Sequence, residues 1–229
     1  MKSPVHIRTR HLQLNGELAI PSAAKGVVLF AHGSGSSRSS PRNTRVASLL
    51  QQAGLGTLLF DLLTEEEEER DRLYGGYRFN IDLLAHRLAA ATDWIVEQQP
   101  ASGLPVGYFG ASTGAAAAIN AAADRKDVVC AVVSRGGRPD LAGEALERLS
   151  APTLLIVGGA DEPVIRMNED ALQVIRTSKR LALVPGAGHL FEEPGALDEV
   201  TRLARDWFLE YCTLAAGTGI ASRLTGAAV

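Results

Sequence analysis

A buried apolar strand that ends in Gly110-Ala111-Ser112-Thr113-Gly114 and runs straight into the alanine-rich stretch Ala115–Ala118 leaves few folds open to this chain. The preceding run, Val106–Gly110, is apolar throughout, as a strand covered on both faces must be. A turn this tight between strand and helix holds its central residue in a strained backbone conformation. Bulk two residues to either side would collide, which explains glycine at positions 110 and 114. Such a turn lifts the Ser112 hydroxyl above the carboxyl end of a parallel sheet, where ligands bind in sheets of this kind. The start of the following helix favours negative charge beside it, and the alanines let that helix lie close against the strands.

The remaining pattern supplies the rest of such a sheet. Apolar runs at Gly26–Ala31, Gly56–Phe60, Val128–Ser134, Thr153–Gly158 and Leu181–Val184 read as strands. Helical stretches alternate with them: Pro41–Gln52, Ser112–Ala123, Leu141–Leu149, Val164–Ile175 and a last one from Pro194 to Tyr211. Another helix starts at Asn80, a good cap, with Ile81, Leu84, Leu88, Ala91 and Ile95 on one face. Leu197, Val200, Ala204, Trp207, Phe208 and Tyr211 should make the inner face of the final helix. This alternation predicts an α/β fold: a mostly parallel central sheet with helices on both faces. His6–Leu12 and Glu17–Ile20 read as a short hairpin turned at Asn15-Gly16. The five glutamates Glu65–Glu69 repel one another and belong on a solvated loop or helix face. Residues 1–216 read as a single domain and 217–229 as a flexible tail.

Composition excludes several roles. A formal net charge of −3 over 229 residues offers no basic field for nucleic acid, and mixed charges do not suit an anionic membrane surface. No run approaches the ~18 apolar residues of a membrane span. The first 15 residues lack the apolar core of a secretory leader, so the expected compartment is the cytoplasm. No clustered His or Cys pattern predicts a metal site, and no cofactor is expected. Of the two cysteines, Cys130 sits in an apolar strand and reads as a buried thiol; nothing in the pattern supports a disulfide to Cys212.

A serine alcohol needs a base. His189 in Gly186-Ala187-Gly188-His189-Leu190 follows the last strand, on a loop whose glycines leave it free to bring the ring over Ser112. His6 and His11 fall in the first strand region, His86 is mid-helix, and His32 opens the loop after the Gly26–Ala31 strand. Asp161, after the strand Thr153–Gly158, is the expected carboxylate partner of His189, in preference to Glu162 or Asp140. An oxyanion hole would use the amide of Thr113 and one from His32-Gly33-Ser34-Gly35-Ser36-Ser37, with Ser34 first and Gly35 second. That loop lacks the lysine and spacing of a phosphate-binding loop. Gly35, Arg38 and Arg135 are candidate substrate contacts; alternatively Arg135 braces its loop against Asp140 or Asp161.

At His32-Gly33-Ser34-Gly35-Ser36, Gly110-Ala111-Ser112-Thr113-Gly114, Gly158-Gly159-Ala160-Asp161 and Gly188-His189-Leu190-Phe191, the chain resembles the α/β-hydrolase superfamily, and within it the small dienelactone-hydrolase-like branch. The resemblance implies the α/β-hydrolase fold of about seven or eight strands, without a large cap domain. It implies a covalent mechanism on a small-molecule acyl substrate, a carboxylic ester or lactone. True dienelactone hydrolases use a cysteine nucleophile; Ser112 here points to a broader carboxylesterase. A thioesterase or small peptidase with the same triad, or a catalytically silent binding module, are the alternatives. The pattern carries no signal for an oligomeric state.

Overall fold

The computed structural model describes residues 2–9 and 12–217. The strands are β1 (Lys2–Arg8), β2 (Gln13–Ala19), β3 (Val27–Ala31), β4 (Gly56–Phe60), β5 (Val106–Ala111), β6 (Val129–Arg135), β7 (Thr153–Gly158) and β8 (Lys179–Val184). The α-helices are α1 (Pro41–Gln52), α2 (Glu65–Tyr74), α3 (Ile81–Val96), α4 (Thr113–Asp124), α5 (Ala145–Arg148), α6 (Glu162–Val174) and α7 (Ala196–Gly217). The eight strands form one sheet in the order β1-β2-β4-β3-β5-β6-β7-β8. β1 and β2 pair antiparallel, as do β2 and β4; every other pairing is parallel.

The two-residue period of a strand divides the core into two layers. In β3, Val27, Leu29 and Ala31 join one buried cluster while Val28 and Phe30 join the other. The first cluster receives Leu84, Leu88, Ala91 and Ile95 of α3 and the alanines of α4; the second receives Val46, Ala47 and Leu50 of α1 and the inner stripe of α7. Each such buried leucine or valine contributes about 1.5–3 kcal/mol relative to exposure. The Asn80 side chain caps α3 by accepting from the Leu83 amide at 3.0 Å. The glutamate run forms the first half of α2, begun by a capping box between Thr64 and Glu67, and Glu67 is half-buried in a pair with Arg87. None of the described helices is long and apolar enough to cross a membrane.

Three expectations change. The N-terminal hairpin exists, but Asn15 and Gly16 lie inside β2, opposite His6 and Val5, and the strands join between Thr9 and Leu12. Gly16 is small for packing: a Cβ there would stand 3.2 Å from Leu59 O, Phe60 Cβ and Val5 Cγ2 alike. The expected helix Leu141–Leu149 is a 3₁₀ turn at Pro139–Ala142 followed by the single turn α5, divided at Gly143, where φ is 54°. α7 continues past Tyr211 because Cys212 and Ala215 extend its buried stripe. Apart from Gly217, which ends α7, the expected tail 217–229 lies outside the described residues, as does His11.

Candidate active site

Ser112 stands between β5 and α4 at φ 51°, ψ −120°, a left-handed conformation that costs a residue with a side chain of order 1–3 kcal/mol. The flanking glycines are demanded by contact. A Cβ on Gly114 would lie 2.1 Å from Ala31 O, and one on Gly110 would lie 2.5 Å from Ala115 Cα. The same crowding brings the loop after β3 over the turn, since a Cβ on Gly33 would meet Ser112 Cβ at 3.0 Å. The Ser34 amide donates to Thr113 Oγ1 at 3.0 Å. Both expected oxyanion donors therefore flank the first residue of α4, whose own amide has no preceding helical carbonyl to pair with.

The loops carrying Asp161 and His189 are laced together beyond β7 and β8. Gly159 and Ala160 donate their amides to Val184 O and Ala187 O at 2.8 and 2.9 Å. Gly158 has no room for a Cβ, which would come within 2.4 Å of Ala187 O. Across this seam His189 Nδ1 and Asp161 Oδ2 are 2.7 Å apart. Asp161 is well covered while the His189 ring stays 40 % exposed, open to a substrate. The two acids weighed against Asp161 are occupied elsewhere: Asp140 pairs with Arg138, and Glu162 lies near Arg166 on the exposed face of α6. Ser112 Oγ and His189 make no hydrogen bond in this structure, a separation common in substrate-free sites. The two segments are nevertheless neighbours: Ser112 N donates to Arg135 O at 3.3 Å, and a Cβ added to the next residue, Gly136, would lie 3.2 Å from His189 O. The glycine-flanked histidine loop is held more firmly than its sequence implies, because Glu193 Oε1 accepts from the Gly188 amide at 2.9 Å.

His32 has a positioning role. Its buried Nε2 accepts from the Leu62 amide at 3.1 Å, and Nδ1 lies 3.1 Å from Gly33 O, so the ring is neutral with its proton on Nδ1. Burial pushes its pKa below the ordinary value of 6.5. The unfolded chain then binds a proton that the folded chain refuses, and stability falls as pH drops below about 6.5. Melting temperatures at pH 7.5 and 5.5 should fall further in the wild type than in His32→Gln; parallel losses would assign the pH dependence to other groups.

The candidate substrate contacts divide. Arg38 pairs with Asp61 at the end of β4, through both its side chain and its amide, and ties down the loop after β3. Gly35, at φ 73°, borders a cavity of about 570 Å³ that meets the site at Gly33 and Ser34. Serines 36, 37, 39 and 40 line it together with Arg72 and Arg78. Arg135 is 8 % exposed, and its Nε and Nη1 have no hydrogen-bond partner. Its named bracing partners, Asp140 and Asp161, are bonded to Arg138 and His189 instead. Burial, then the charge of Arg42, lowers the Arg135 pKa to about 10, which leaves it charged at neutral pH. Three further residues shape the site: Asp61, Glu193 and Arg42, which lines the cavity and pairs with Glu192 of the histidine loop at 2.9 Å. Of these, only Asp61, an acid at a strand's carboxyl end, carries a signal in the sequence. Among the described residues no group of three or more His, Cys, Asp and Glu side chains is placed to hold a metal.

Known proteins share this fold. The crystal structure of a dienelactone hydrolase from Anabaena variabilis superposes with a TM-score of 0.91 at 60 % identity, over 92 % of this chain and 98 % of that one. Est1E from Butyrivibrio proteoclasticus shares the fold at 15 % identity, with a TM-score of 0.76 over 91 % of this chain and 98 % of its own. A Mycobacterium tuberculosis protein named "Putative phosphoribosyl transferase Rv0571c" is 57 % identical over 196 residues, covering 86 % of this chain but 43 % of its own length. The chain thus spans less than half of that relative. The family model described as "Dienelactone hydrolase family" matches residues 14–211, from β2 through most of α7, and the chain belongs to that family.

Proposed function

We propose that this chain is a serine hydrolase that cleaves a small carboxylic ester or lactone through an acyl-enzyme intermediate. The observation that carries the reading is the conjunction of Ser112 on a strained strand-to-helix turn with the 2.7 Å His189–Asp161 contact on neighbouring strand ends. Asp161 holds the proton on His189 Nδ1 and leaves Nε2 basic. As Ser112 Oγ attacks the acyl carbon, Nε2 takes its proton and the carbonyl π electrons move to oxygen. The Thr113 amide stabilises that oxyanion, joined by the Ser34 amide as it exchanges Thr113 Oγ1 for the stronger acceptor. Collapse expels the leaving oxygen, which His189 protonates. Water activated by the same ring then attacks the acyl-Ser112 ester and releases the acid.

Fluorophosphonate labelling tests the reading, followed by a panel of p-nitrophenyl esters of varied chain length with thioesters and lactones alongside. One adduct, on Ser112, and turnover of esters or lactones are expected. Faster thioester turnover would make it a thioesterase, and no labelling at all would make it a binding module on a hydrolase scaffold. The transferase named in the M. tuberculosis relative has no support among the residues of this site, and more than half of that protein lies outside the match.

Arg135 favours an acyl substrate that carries an anionic group. A charged guanidinium with enclosed, unpartnered N–H groups, whose carbonyl already bonds the Ser112 amide, is suited to grip a carboxylate. Arg135→Ala should weaken kcat/KM for a carboxylate-bearing ester ~10–100-fold more than for its neutral analogue, as loss of a charged hydrogen bond does. Equal losses, or lowered thermal stability alone, would make Arg135 structural.

A further inference from the structure

Cys130 and Cys212 are 82 residues apart in sequence, yet their sulfurs lie 3.3 Å from each other, both as free thiols. Two features of the fold create this meeting. Val106 pairs with Val129 and Gly107 with Ala131, so Cys130 is the extra residue of a bulge in β6. The bulge sets Cys130 and Ala131 together on the α7 side of the sheet, while Val129 and Val132 face the other layer. On α7, Cys212 continues the buried stripe of Ala204 and Phe208, one turn apart. Gly26 completes the seat: a Cβ there would be 2.6 Å from Cys212 Sγ and 3.0 Å from Pro105 O.

We propose that Cys130 and Cys212 form a two-thiol modification site that a small-molecule disulfide oxidises to a single intramolecular disulfide, tying α7 to the centre of the sheet. The first thiolate attacks the reagent's sulfur and expels one reagent thiolate. The second attacks the mixed disulfide and expels the other. Two protein S–H bonds are lost and one S–S bond forms, while the reagent's S–S bond is reduced to two thiols. The site is slow by construction. A hydrogen bond with Cys212 and burial push the Cys130 thiol well above its ordinary pKa, and Cys130 and Cys212 are 9 % and 0 % exposed. The reagent therefore reaches the thiols only through a local opening of the fold.

Purified protein is incubated with oxidised glutathione, and a parallel sample is kept in reductant. Expected are loss of both thiols by titration after denaturation, a mass lower by about 2 Da with no glutathione adduct, and one tryptic cross-link joining the two cysteines. Closing so long a loop should raise the Tm by roughly 5–15 °C, reversibly on reduction. Cys130→Ala and Cys212→Ala should each lack the cross-link and the oxidant-dependent Tm rise. Both thiols persisting in folded wild type, a glutathione adduct as the final product, or disulfides only between chains would overturn the proposal; because each of these outcomes is read on wild type, an unstable variant does not obscure them.

Discussion

Ser112→Ala should abolish ester turnover, lowering kcat by ~10⁴–10⁶, while the protein still unfolds in one cooperative transition. The expectation follows from how little else the oxygen does. Ser112 Oγ makes no hydrogen bond to the fold, and its removal leaves the β5–α4 turn, built by glycines 110 and 114, with the backbone that Ala31 and Ala115 enclose. A loss this large corresponds to about 5–8 kcal/mol of transition-state stabilisation, far beyond any surface contact. Turnover and fluorophosphonate labelling should disappear together. Retained labelling in the variant would move the nucleophile elsewhere and remove the basis of the serine-hydrolase reading.

Asp161→Asn should be the next most damaging change, with kcat falling ~10³–10⁴ and KM nearly unchanged. An amide in that place no longer opposes the charge that His189 acquires as it takes the serine proton. It can also turn its NH₂ toward the ring and favour the wrong tautomer. The 2.7 Å contact to Nδ1 and the cover over Asp161 make this acid the histidine's partner in geometry. Glu162→Gln and Asp140→Asn serve as controls, because those carboxylates lie near Arg166 and Arg138 on exposed surfaces, where an ion pair is worth little. Comparable kcat losses from either control would reassign the role.

Much of this protein was legible along the chain because its signals are local. Burial on both faces makes β3, β4, β5 and β7 continuous apolar runs, and α3 announces itself by a cap and a stripe at helical spacing. The turn at Ser112 is legible partly for the same reason: a Cβ on Gly110 would strike Ala115 and Gly114 of the same strand-turn-helix unit, whereas the crowding at Gly114 comes from Ala31 and His32 on the neighbouring strand and its loop. Local patterning therefore suffices for the layered α/β plan, the family, and the candidate serine, aspartate and histidine.

What lies between distant segments was decided only in three dimensions. Asn15-Gly16 reads as a turn by its local preference, but pairing with β1 and packing against Phe60 override that preference and place it inside β2. Arg38 and Arg135 look alike as cations near strand ends. Asp61, 23 residues away, absorbs the first, while the acids near the second are claimed by Arg138 and His189. The meeting of Cys130 with Cys212 depends on a single bulged residue in β6 and on the register of α7, neither of which a periodic pattern encodes. Periodicity reports which face of an element is buried; which residue it meets there depends on packing between elements far apart in the chain, and only the assembled core fixes that.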